Sequence, residues 1–186
     1  MTIRDIAGFC PEEAVWKMMA DVSECLLNDG VCNGLSPDSV IVDGMSFMVS
    51  RIQTIENEFL APEHKNGQQS NEKEAVWSLG AIAYYAATGH VVFGGYGSSY
   101  QKEHPSVPLP VLPKGVQVLT PILQKCLCYD SNERIGLKDL HNLARKGLEE
   151  CGRQKRNKIQ SAKGEEKKEN EVKYTGEKWP EEMVEI

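Results

Sequence analysis

The chain has 186 residues, a net charge of -6 and 40% hydrophobic side chains, which suits one packed domain plus a tail. The acidic balance argues against nucleic acid as the default partner of the folded part. No apolar run approaches the ~20 residues that span a bilayer. Met1 to Cys10 carries no apolar signal core, so a cytoplasmic chain with reduced thiols is expected.

Cys10-Pro11-Glu12-Glu13 predicts the start of a first long helix. Proline lacks only an N–H that would be unpaired there, and the acids suit the positive helix end. Ala14, Val15, Met18, Met19, Val22 and Leu26 recur at helical spacing, and Asn28-Asp29-Gly30 stops the pattern. Val40-Ile41-Val42 and Phe47-Met48-Val49 predict a small β-hairpin, with Asp43-Gly44 expected to supply the positive φ angles of its turn.

Asn71 to Thr88 predicts the central helix. Asn71 with Glu74 resembles a capping box, and Gly89 supplies the left-handed stop. Ala75 to Ala87 is apolar on every face, too short for a bilayer, and so is expected to be surrounded by protein. Residues 94–115 are rich in Gly, Ser and Pro and allow only a brief helical turn near Tyr100 to Glu103. Leu119, Ile122, Leu123, Cys126 and Leu127 mark another helix, with Pro121 in its first turn. Leu137, Leu140, Leu143, Ala144 and Leu148 mark the last.

Charge changes character near Gly152. Residues 1–151 are net acidic and are expected to form the domain. Residues 152–168 are basic and 169–186 acidic, and 152–186 as a whole holds few large apolar side chains. That segment is expected to extend the last helix and end in a disordered tail. Trp179 and Met183 lie there and allow a short docking motif. Cys126 and Cys128 lack the two-residue gap of a zinc or redox pair and read as core thiols. No spacing of histidine with cysteine suggests a metal.

Four segments in order resemble the C-terminal lobe of eukaryotic-type protein kinases. Leu35-Ser36-Pro37-Asp38-Ser39-Val40-Ile41-Val42-Asp43 resembles the catalytic loop and following strand. Ala61-Pro62-Glu63 resembles the end of an activation segment. Val76-Trp77-Ser78-Leu79-Gly80 with Thr88-Gly89 and Phe93 resembles the buried helix and its exit. Cys126 to Arg134 resembles the C-L-x-x-D-P-x-x-R segment. The resemblance spans about residues 10 to 148. It implies a mainly α, protein-kinase-like C-terminal lobe with a small β-hairpin and no N-terminal lobe, and a structural ion pair between Glu63 and Arg134.

The same resemblance implies a degenerate, catalytically inactive site. Phosphoryl transfer needs an aspartate to orient the attacking hydroxyl, an asparagine and a second aspartate to hold magnesium, and a lysine on the phosphates. Gly34 stands at the catalytic aspartate, Ser36 at the loop lysine, Ser39 at the metal-binding asparagine, and Arg51 near the magnesium aspartate. A cation there repels magnesium. Ala75 replaces the aspartate that braces the catalytic loop. No glycine-rich phosphate loop occurs. Ser36, Ser39, Cys32 and His64 supply nucleophile types, but nothing in the sequence pairs a nucleophile with an oriented base.

Without catalysis, the expected role is a protein-interaction or scaffold module using no cofactor and neither ATP nor magnesium. The architecture is similar to the kinase non-catalytic C-lobe domain family. Met45, Phe47 and Val49 are the candidate partner surface. Two other readings stand beside it. One is half of a split kinase completed by a separate chain. The other is nucleic-acid or membrane-surface binding through the basic stretch Arg153-Gln154-Lys155-Arg156-Asn157-Lys158.

Overall fold

In the computed structural model the described residues are 1–30, 34–50, 55–65 and 67–174, with 162–174 as backbone only. The predicted positions Cys32, Arg51, Trp179 and Met183 lie outside them. Two compact units divide the chain, Met1–Glu149 and Glu150–Ile186. The first is mainly helical with one two-stranded antiparallel sheet. Its elements in order are α1 (Ile3–Ile6), α2 (Glu12–Asp29), β1 (Val40–Asp43), β2 (Ser46–Val49), α3 (Glu72–Thr88), α4 (Ser98–Glu103), α5 (Thr120–Cys126) and the start of α6 (Leu137–Tyr174). Among the described residues no helix is long and apolar enough to cross a membrane.

α3 runs through the core. The Asn71 side chain accepts a hydrogen bond from the Glu74 N–H at 3.0 Å, and Gly89 takes φ +74 to end the helix. Thirteen of its residues, from Glu74 to Ala87, are buried, as expected of a helix with no polar face. α2 and α5 both pack against it. Gly80 permits the second contact, because a Cβ there would lie 2.5 Å from the Cys126 Cβ. Alanine would gain helix propensity of ~1 kcal/mol but meet an atom that cannot swing away.

α2 presents Val15, Trp16, Met18, Met19, Val22 and Leu26 to the interior, and Gly30 ends it at φ +88. The first turns of α6 return to it. Gly147 lets the Trp16 ring lie directly against the helix backbone, and the Glu72 carboxylate accepts from the Leu137 N–H at 2.8 Å at the start of α6. Pro121 falls in the first turn of α5, where its missing N–H costs nothing.

The hairpin departs from expectation at its turn. Asp43 pairs with Ser46, so the two loop residues are Gly44 and Met45 rather than Asp43 and Gly44. Only Gly44 has a positive φ, +59, the pattern of a turn with glycine first. Pairs then alternate inward and outward N–H groups. Val42 and Phe47 point theirs away from each other. The Val42 N–H reaches the Met1 carbonyl at 2.9 Å, and the Phe47 N–H reaches Asp21 Oδ2 on α2 at 3.0 Å. Asp21 also holds Lys17 at 2.5 Å. One carboxylate therefore seats the sheet edge on α2.

The second unit is helical from Glu150 to Tyr174, and its side chains from Arg153 to Ser161 are exposed. That stretch carries the basic residues Arg153, Lys155, Arg156 and Lys158.

Candidate functional site

The loop between α2 and β1 holds the positions that the resemblance assigns to catalysis. Gly34 is buried at φ +74, and a Cβ there would lie 2.9 Å from Ile55 Cγ1. Backbone conformation and the close approach of Ile55 both select glycine. The position thus offers no side chain to a ligand.

A 3-10 turn follows over Pro37–Ser39. The Ser39 hydroxyl accepts from the Ser36 N–H at 2.9 Å and donates to the Ser36 carbonyl at 2.7 Å. Ser39 is consumed in holding its own turn. Ser36 is fully buried, and its hydroxyl has no hydrogen-bond partner among the described residues. Neither oxygen faces solvent.

Asp38 is the exposed polar group of this turn, and Arg4 takes it. Arg4 Nε donates to Asp38 Oδ2 at 2.9 Å, while Nη2 donates to Glu56 at 2.6 Å. The guanidinium also lies 5.9 Å from the Tyr85 ring centroid, within cation–π range. Arg4 therefore clips the N-terminal segment to the turn, the 55–59 segment and α3. No sequence signal foretold this, because Arg4 is an isolated residue outside every motif.

The predicted partner surface needs correction. Strand alternation places Phe47 on the face toward α2, where it is 6% exposed, and Val49 on the same face is half-buried. Phe47 is core, not contact surface. The opposite face carries the Ile41–Met48 cross-strand pair, with Thr2 bridged to Ile41 at its side. Met48 is 44% exposed and Met45, at the hairpin tip, 84%. Met45 and Met48 are the exposed methionines of the hairpin.

Glu63 and Arg134 meet. Arg134 is fully buried at its side chain, and Nη1 lies 2.5 Å from Glu63 Oε1. Its remaining donors reach the carbonyls of Cys128, Lys73 and Tyr129. Lys73 returns the contact by donating to the Arg134 carbonyl. The next residue along, His64, places Nδ1 2.6 Å from Glu74 Oε2, and Asn71 Nδ2 holds the other Glu74 oxygen at 2.9 Å. Sequence reasoning missed this imidazole–carboxylate pair, since the partners are ten residues apart in a loop and a helix. It joins the 61–64 turn to the first turn of α3, beside the Glu63–Arg134 pair.

Ala75, where the resemblance puts a bracing aspartate, is buried in α3. The core reading of Cys126 agrees with its geometry: it is fully buried, and burial pushes its thiol up to about 12 against a smaller opposing effect of Arg134. Among the described residues no group of three His, Cys, Asp or Glu side chains is placed to hold a metal ion.

Compared with known protein families the chain matches none, and no curated protein matches it either.

Proposed function

We propose that this chain is a catalytically inactive protein-interaction module whose fold resembles the C-terminal lobe of protein kinases. The observation that carries the reading is the loop from Gly34 to Ser39. Its three positions assigned to catalysis by resemblance are a glycine in a left-handed conformation, a buried serine and a serine bonded to its own turn. None of these three can orient a hydroxyl or a metal-bound phosphate, and the Asp38 carboxylate beside them is held by Arg4. The Glu63–Arg134 pair supports the fold half of the reading, because the resemblance joins those two residues. ATP with magnesium is accordingly not its ligand.

The interaction half rests on the outer hairpin face. Ile41, Met48 and Met45 offer apolar surface on short strands anchored by α2 and the N-terminal segment. Methionine adapts its shape to a partner at small cost. A photo-crosslinking amino acid at position 48 tests this in cells that express the chain. The expected result is one discrete protein adduct, lost when Met45 is changed to Glu. Crosslinks scattered over many proteins, or an adduct indifferent to Met45→Glu, would contradict it.

A further inference from the structure

The geometry points to a binding site for a small, neutral, ring-shaped molecule between α4, the proline-rich segment after it and the end of α5. A cavity of about 260 Å³ opens there. This lies just under the ~300 Å³ at which drug-sized ligand pockets begin, so it suits one or two fused rings. The site is far in sequence from the catalytic-loop positions and independent of the proposed interaction face.

Three features define the ligand. The lining mixes apolar residues, Phe93, Pro105, Pro108 and Leu127 among them, with the uncharged polar residues Gln101, Ser106 and Gln124. Among the described residues that line it, none is Asp, Glu, Lys or Arg, so a charged ligand would lose its hydration without a counter-charge. The cleft between α2 and α6 differs in this respect, since Lys17, Asp21, Glu24 and Arg145 mix both signs there and select no single ligand class.

The second feature is a polar anchor. Gln101 lines the cavity and is 2% exposed. Its Oε1 accepts from Trp77 Nε1 at 3.0 Å, and its Nε2 donates to the Leu127 carbonyl at 2.7 Å. Those two bonds fix the amide and its orientation. The amide nitrogen has two hydrogens, and the second is uncommitted among the described residues. A ring bearing a hydrogen-bond acceptor satisfies it.

The third is rigidity. Phe93 is the one described non-glycine residue with a positive φ, +56, and it is buried. Gly94 and Gly95 follow at +71 and +93, and Gly97 lies against the Glu58 carbonyl, where a Cβ would collide. The loop thereby holds the Phe93 ring in one place as a wall, the kind of strained conformation that packing must maintain. A wall already in position reduces the ordering cost of binding.

Quinoline is the probe, a neutral bicycle with a ring-nitrogen acceptor. 1-Methylquinolinium is its control, the same bicycle with a methyl on nitrogen, a positive charge and no lone pair. Both are titrated into the full chain and followed by two-dimensional amide NMR. The proposal expects saturable quinoline shifts at Val107, Leu127 and Tyr129, with a dissociation constant below about 1 mM. Binding should weaken at least ~10-fold for 1-methylquinolinium and for Val107→Trp, which fills the cavity from a half-exposed loop. Tyr129→Ala, at an exposed position, should weaken it too without endangering the fold. Linear, unsaturated shifts, shifts centred elsewhere, or equal affinity for the two probes would each overturn it.

Discussion

Arg134 grips Glu63 through two parallel hydrogen bonds, Nη1 to Oε1 at 2.5 Å and Nη2 to Oε2 at 3.0 Å, across 71 positions of sequence. The two ends are unequal. Arg134 is fully buried at its side chain, whereas Glu63 is 29% exposed. Removing either leaves the other uncompensated, but the buried end carries more.

Arg134→Leu is expected to cost ~3–5 kcal/mol, since three backbone carbonyls and a carboxylate lose their donor together. Glu63→Gln keeps an acceptor and the shape but leaves the buried guanidinium without its counter-charge, and should cost about 2–3 kcal/mol. Urea unfolding measures both. An Arg134 variant no less stable than the Glu63 variant would contradict the hub role.

The two serines of the loop should respond in opposite directions. Ser39→Ala removes a hydroxyl that both accepts and donates within the turn and should cost about 1 kcal/mol. Ser36→Ala removes a buried hydroxyl with no partner among the described residues and should be neutral or stabilising, by up to ~1–2 kcal/mol. Thermal unfolding of the pair checks the contrast. Equal losses would show that Ser36 has a bond the structure does not assign.

Gly34→Asp introduces the side chain that the resemblance to protein kinases would put at this position. At φ +74 a non-glycine residue is strained by roughly 1–2 kcal/mol, and Ile55 must shift away. Ile55 is 62% exposed and can do so. The variant should therefore fold with reduced stability and still transfer no phosphate to a generic protein substrate. Labelled γ-phosphate on that substrate would contradict the reading of the loop.

Alkaline pH should destabilise the fold through Cys126. Its thiol ordinarily titrates near 9 and is pushed up by burial to about 12 in the folded chain. Between those values the unfolded chain loses its proton and the folded one keeps it. Stability is then full below about pH 9 and falls by up to ~1.4 kcal/mol per pH unit above it. Cys10 and Tyr84 are raised in the same direction, each chiefly by burial. Cys126→Ala should make the stability–pH slope shallower by about one proton. An unchanged slope would contradict the assignment.

Elements with strong local signals were legible in the sequence. The cap of α3 at Asn71, its stop at Gly89 and its wholly apolar body follow from local chemistry and recur in the structure. So do the limits of α2 and the place of Pro121. The hairpin turn was misplaced by one residue, because Asp43-Gly44 and Gly44-Met45 are both plausible glycine turns and the register of a four-residue strand decides between them. That slip does not change which face is inward. Phe47 was misjudged because alternation identifies two faces without saying which one α2 covers. Arg4 and the His64–Glu74 pair were invisible, since each depends on segments brought together only by packing.

A fluorescence titration of the full chain with an ATP analogue, with and without magnesium, tests the central claim most directly. The account predicts no saturable binding below about 1 mM in either condition. A magnesium-dependent dissociation constant in the micromolar range would contradict it.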